Sequence, residues 1–190
     1  MSGNGGEGVS FVVDVAPDLH RLTHSISHLM KGELGVRGAY LVPAEFDPRR
    51  HAVRKLYRYT IVNRAAPPVL LRMIGWHQTV SLDVERMAVE AEALVGTHDF
   101  SSFRGSGCGA ATTVRTIESC TVRRRGECVI IEIVGNGFLK HMVRNIVGTL
   151  VRTATAPESP GVHEVLAARD RQFAGVTAPA HGLTLVGVEY

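Results

Sequence analysis

At 190 residues, 45% hydrophobic and 21% charged, the chain can bury one good-sized core or one domain plus part of another, and it is not disordered. No apolar run is long enough to span a membrane, and residues 1–8 have neither the basic start nor the apolar core of a secretory signal, so the expected compartment is the cytoplasm. Net charge is only +3, but Arg49, Arg50, Arg54, Lys55 and Arg58 fall together and Arg123, Arg124 and Arg125 are consecutive, a clustering that suits a polyanion or an ordinary solvated face.

The Gly-rich residues 1–8 read as a flexible start, and residues 9–15 as a strand. Pro17 then opens a helix to about Lys31 with Leu19, Leu22, Ile26 and Leu29 on one stripe, followed by a short strand over 38–42 before Pro43. Residues 53–63 alternate as a strand. Asp83 caps a helix to about Val95 that turns Met87, Ala88, Ala91 and Leu94 inward, and Gly96 ends it. Residues 113–124 and 128–134 form two β-rich runs joined by Arg125-Gly126-Glu127 as a hairpin.

Residues 138–148 come next as a helix. Leu139, Met142, Val143, Ile146 and Val147 recur at helical spacing and should face the core, while Lys140 and Arg144, four apart, should share another face. A cationic edge beside an apolar stripe suits an anion; it is also what any amphipathic surface helix shows. A short helix near 162–171 and a strand over 183–190 complete the chain.

From residue 53 the order is strand, helix, strand, strand, helix, strand, with a helical insertion before the end. That is the α+β, ferredoxin-like (split βαβ) order, with two helices on one face of an antiparallel sheet. The other face stays open, and such faces commonly receive single-stranded or loop RNA. The expected organisation is a loose start at 1–8, a remnant of an α+β domain at 9–45, and a complete α+β domain at 46–190.

Cys108, Cys120 and Cys128 lack the close pairing of a zinc ribbon or redox motif and read as idle or buried thiols. His20, His24 and His28 recur every four residues on the first helix, but no carboxylate or cysteine joins them at matching spacing, so no metal is expected.

Four segments together resemble the TruA-type family of tRNA pseudouridine synthases. They are Phe46-Asp47-Pro48-Arg49 leading to Lys55-Leu56-Tyr57-Arg58-Tyr59; Gly96-Thr97-His98-Asp99-Phe100-Ser101-Ser102-Phe103-Arg104; the 138–148 helix; and Ala180-His181-Gly182-Leu183. The resemblance runs from about residue 35 to 190 and, more weakly, over 8–34. It implies two ferredoxin-like halves whose sheets merge across a cleft, usually a homodimer, acting on the anticodon stem-loop of tRNA. The implied reaction detaches uracil, rotates it and rejoins it through carbon, using a carboxylate nucleophile with no metal and no cofactor. The target base must first be flipped from its stack.

Within that resemblance Tyr57 is the pocket tyrosine on the flipped base, Leu183 the apolar wall beneath it, and Arg144 the arginine that pairs with the catalytic carboxylate and a phosphate. Read without it, Tyr57 is a half-buried strand residue and Leu183 a core leucine. Lys55, Arg58, Arg104 and Lys140 are candidate contacts to the RNA backbone, each of which could also be plain surface charge. Asp99 fits a turn or capping residue better than a catalyst.

The family carries its nucleophile in an Arg-Thr-Asp loop, and this sequence contains no such triplet. Asp14, Asp18 and Asp47 fall at positions with no catalytic role in the family, so none replaces it. Three readings follow: a fragment or mis-started form of an active enzyme, a degenerate RNA-binding paralogue, or a chain completed by a second polypeptide that supplies the first half.

Overall fold

The alternation in residues 53–63 becomes the central strand of a six-stranded sheet. In the computed structural model, which describes residues 8–190, β1 (Arg54–Asn63) pairs antiparallel with β5 (Cys128–Gly135) on one side and β6 (Leu183–Glu189) on the other. β5 also pairs antiparallel with β4 (Val114–Arg125). The order β6-β1-β5-β4 is the split βαβ arrangement expected. Two short strands extend it: β2 (Trp76–Gln78) runs parallel to the end of β1, and β3 (Gly96–Asp99) lines the outer edge of β4. Neither is long enough to show an alternation in sequence.

Register decides which residues face the core. Tyr57, Tyr59 and Ile61 stand opposite Ile133, Ile131 and Val129, and Val122 stands opposite Ile131 from the other side. These side chains meet α2 (Val84–Glu92), α3 (Met142–Thr155) and α4 (Val162–Ala168) in one buried cluster, with Met87, Leu94, Met142, Ile146, Leu150 and Val165 at 0% exposure. Asp83 caps α2 by accepting from Arg86 N at 2.9 Å. The β4–β5 hairpin closes on Gly126 at φ +58°, the left-handed conformation that such a tight link requires.

The described residues divide into two units, Gly8–His51 and Ala52–Tyr190. In the first, α1 (Leu19–Leu29) forms as its stripe predicts, capped by Asp18, which accepts from Arg21 N at 3.0 Å. The strands expected over 9–15 and 38–42 do not form: both stretches are irregular and largely exposed, with Val12 at 87%. β propensity describes fit to a neighbouring strand, and within this unit no neighbour pairs with either stretch. The loose start expected at 1–8 lies outside the described residues apart from Gly8.

Two expected helices also shift. α3 starts at Met142 and runs to Thr155, because His141 adopts φ +61° and interrupts the helical path, whereas nothing stops the helix at Gly148. Lys140 therefore sits in the turn before α3 and shares no helical face with Arg144. The five apolar residues of the stripe are nonetheless all buried. α4 is shorter than expected, ending at Ala168 where Arg169 turns left-handed at φ +50°.

Candidate active site

Alternation along β1 splits the candidate residues between two faces. Tyr57 is half-buried on the helix-covered face, and Phe138 meets its ring edge-on at 5.0 Å and 82°. Leu183, the first residue of β6, pairs with Tyr59, and Leu185 pairs with Tyr57. Tyr59 is wholly buried and donates its hydroxyl to Pro179 O at 2.7 Å. Burial pushes its phenol far above the ordinary range, with the charge of Arg144 pulling the other way. Gly182 makes this close approach feasible, since a Cβ there would lie 2.6 Å from the Tyr59 ring.

Arg144 occupies the first turn of α3. Its Nε donates to Ala178 O at 2.6 Å, and Ala178 N donates to Arg144 O at 3.2 Å, so side chain and backbone grip the same residue. This turn contains no acidic residue, and the helix dipole adds its positive end to the cations there. Nearby, loss of hydration lowers the pKa of the His141 imidazole, and the charges of Arg144 and Lys140 lower it further.

The 99–113 segment brings a further cation, Arg104, to the same end of α3. Asp99 accepts from Ser101 N at 3.0 Å and from the Ser101 hydroxyl, which also reaches Thr113 Oγ1 at 3.2 Å. The Ser101 and Thr113 hydroxyls hold the Asp99 carboxyl below the usual range, so Asp99 organises the turn. Phe100 and Phe103 plug the core and Ser102 Oγ donates to Val165 O at 2.6 Å, which leaves Arg104 exposed. Gly105 N donates to Lys140 O at 2.8 Å. Within this loop the thiol of Cys108 is held below its ordinary pKa by the backbone N–H groups of Lys140 and Ala110, assisted by the charges of Arg104 and Arg115. Arg104 and Lys140 are thus brought to one loop, together with Arg115, which carries no signal in the sequence.

The basic cluster on β1 has a different fate. Arg58 faces away from Tyr57 and binds Glu132 with Nε at 2.9 Å and Nη2 at 2.7 Å, while Arg123 takes the other oxygen of Glu132 at 2.7 Å. Arg54 pairs with Glu118 at 2.8 Å and Glu189 at 3.2 Å. Lys55 is half-buried two residues before Tyr57, opposite Gly135 and Val188. By contrast Arg104, Arg115, Lys140 and Arg144 form no ion pair among the described residues. Arg54, Arg58 and Arg123 are neutralised by carboxylates, and the four cations near the start of α3 meet none among the described residues.

A groove of about 480 Å³ lies between Pro67, Val69, Arg72, Trp76, His77 and His181. It includes none of Tyr57, Arg144 or Leu183, but its Trp76 ring meets Tyr59 edge-on at 6.4 Å and its His181 immediately precedes Gly182. Among the described residues no group of three or more His, Cys, Asp or Glu could hold a metal ion. No helix is long and apolar enough to cross a membrane among those residues.

Comparison with known proteins places these residues in context. A family model described as tRNA pseudouridine synthase matches residues 91–190, which include the Asp99 turn, α3 and Leu183. The tRNA pseudouridine synthase A of Geotalea uraniireducens is 43% identical over 173 residues, covering 90% of this chain and 71% of that protein. The protein of the same name from Methylobacterium nodulans is 41% identical over 86% of this chain and 65% of its own length. That from Pelobacter propionicus is 38% identical over 95% and 75%. The chain therefore spans about two thirds to three quarters of the length of these relatives.

Proposed function

Because the chain belongs to the tRNA pseudouridine synthase family, we propose that the surface shared by β1, the start of α3 and the start of β6 is its uridine pocket. Tyr57 packs on the flipped base and Leu183 forms the wall beneath it. Arg144 pairs with the nucleophilic carboxylate and with a phosphate beside the target. Arg104, Lys140 and Lys55 meet the RNA backbone, joined by Arg115. Arg58 contributes less, because Glu132 already holds it. The substrate is the anticodon stem-loop of tRNA, and the working state is a homodimer.

The observation that carries this reading is the contrast in ion pairing. An arginine with its Nε fixed at 2.6 Å, in a helical turn without an acidic residue, offers two Nη groups in a planar fork suited to a carboxylate or phosphate. Isomerisation replaces the N1–C1′ bond of uridine with C5–C1′, releasing the C5 hydrogen as a proton while N1 takes one up. On this reading the nucleophile is not among the residues of this chain, since the sequence holds no Arg-Thr-Asp triplet. The same observation supports a second reading, an RNA-binding protein without catalysis.

Tritium release from tRNA labelled at uridine C5 tests where the nucleophile lies. Release by the 190 residues alone would show that a carboxylate within this chain is the nucleophile and overturn its assignment elsewhere. Binding is tested with Arg144→Ala: tRNA affinity should fall on the order of tenfold, and the dependence of log K on log salt should flatten by about 0.7 to 0.9. Unchanged affinity and slope would remove Arg144 from the RNA site.

A further inference from the structure

A buried carboxamide adjoins Arg144 in sequence and holds three segments together. Asn145 is 0% exposed, and its Nδ2 donates to Phe103 O at 2.8 Å, at the end of the Asp99 turn. Its Oδ1 accepts from Thr177 Oγ1 at 2.7 Å and from Arg171 Nη2 at 3.2 Å. One turn later, Thr149 Oγ1 donates to Asn145 O at 2.8 Å and accepts from Gly175 N at 2.9 Å. The segment from 171 to 177 is thus pinned along α3 at three points.

That segment delivers the acceptor that fixes Arg144. Ala178 follows Thr177 directly, and its carbonyl takes Arg144 Nε. Consecutive helical residues point roughly 100° apart. Asn145 accordingly reaches into the core while Arg144, half-buried, emerges beside it. Guanidinium is planar, so a fixed Nε also sets the plane of both Nη groups. Without the Thr177 anchor, the hydrogen bonds left to Ala178 itself are those with Arg144, and the nearest remaining hydrogen-bonded pins are Gly175 N on Thr149 and Pro179 O on the Tyr59 hydroxyl.

We propose that Asn145, acting through Thr177 and Ala178, is the positioning residue that aims the guanidinium of Arg144 at its anion. This inference rests on the anion-binding role given to Arg144 above. An asparagine that merely held the fold together would affect stability; one that aims Arg144 makes RNA affinity depend on Thr177 only while Arg144 is present.

The test is a double-mutant cycle on the full chain, read by fluorescence anisotropy of labelled tRNA across a potassium chloride series, with circular dichroism melts confirming folding. Thr177→Val keeps the shape and removes the hydroxyl, which donates to Asn145 Oδ1 and accepts from Arg171 Nη2. It should weaken tRNA binding three- to tenfold at low salt and flatten the salt slope, in a direction shared with Arg144→Ala. In the Arg144→Ala background the same substitution should change affinity by less than about twofold, and Thr177→Ser, which retains the donor, should behave as wild type. Asn145→Ala should show a larger effect of the same kind, and if that variant does not fold, the Thr177 cycle decides alone. Equal losses from Thr177→Val in both backgrounds, or no loss while Arg144→Ala weakens binding, overturn the positioning role and leave the reading of Arg144 intact. An Arg144→Ala variant that binds like wild type overturns both.

Discussion

Gly148→Ala sets two physical effects of opposite sign against each other. Gly148 lies inside α3, where alanine should stabilise the helix by about 1 kcal/mol. But α3 passes the 174–177 segment at this point, and a Cβ on Gly148 would lie 1.7 Å from Val176 O, whereas ordinary contact begins at 3.4 Å. Relief requires the segment to retreat by about that difference, roughly 1.7 Å, which stretches the Gly175 N to Thr149 Oγ1 bond beyond hydrogen-bonding range. Overpacking of this kind costs about 1–3 kcal/mol, and a buried donor left without its acceptor about 1–3 more. Set against the helix gain, the net expectation is a loss of about 3 kcal/mol, or 6–12 °C in Tm for a protein of this size. Circular dichroism melts and urea titration measure it. Because Ala178 moves with the segment, tRNA affinity should fall as well. A Gly148→Ala protein at least as stable as wild type would show that helix propensity outweighs the close approach and refute the argument.

Two further predictions concern titration and reactivity. Hydrogen bonding by Arg58, reinforced by the Arg58 and Arg123 charges, holds the Glu132 carboxyl below its ordinary value of 4.5, so its stabilisation is present above that pH and lost as pH falls through the lowered folded value. Glu132→Gln should lower stability by no more than about 1 kcal/mol near neutrality, the arginines being 46% and 57% exposed, with the gap to wild type closing below pH 4.5. A gap that persists in acid would refute the ion-pair account. Cys108 should react with a thiol reagent at neutral pH well before Cys120, whose thiol burial pushes up to about 12. Comparable labelling of both in the native protein would contradict the environments described.

Elements that depend on local periodicity were legible in the sequence. The alternation along β1, the β4–β5 hairpin and the α3 stripe are set by repeats of two or of three to four residues, which each segment carries within itself. Residues 9–15 carry the composition of a strand and still form none, because a strand exists only with a pairing partner. The start of α3 was equally hidden: Leu139 and Lys140 fit the helical pattern, and only the left-handed backbone at His141 places them outside it. Asn145 carries no local signal either. A polar residue beside an apolar stripe is expected to face solvent, and its burial makes sense only with Phe103, Arg171 and Thr177 around it.

The sequence by itself determined the α+β order, the apolar faces, the resemblance to the pseudouridine synthases and the inventory of cations. Only the tertiary structure decided which cations are spoken for. Arg58 meets Glu132 across 74 positions and Arg54 meets Glu189 across 135, pairings made by strand register and invisible to any local pattern. Arg104, Arg115, Lys140 and Arg144, near the start of α3, meet no carboxylate among the described residues. Chain chemistry supplies the charges, while sheet pairing and loop closure settle which of them remain available to an anion, because ion pairing acts over a few ångströms between residues that sequence separates widely.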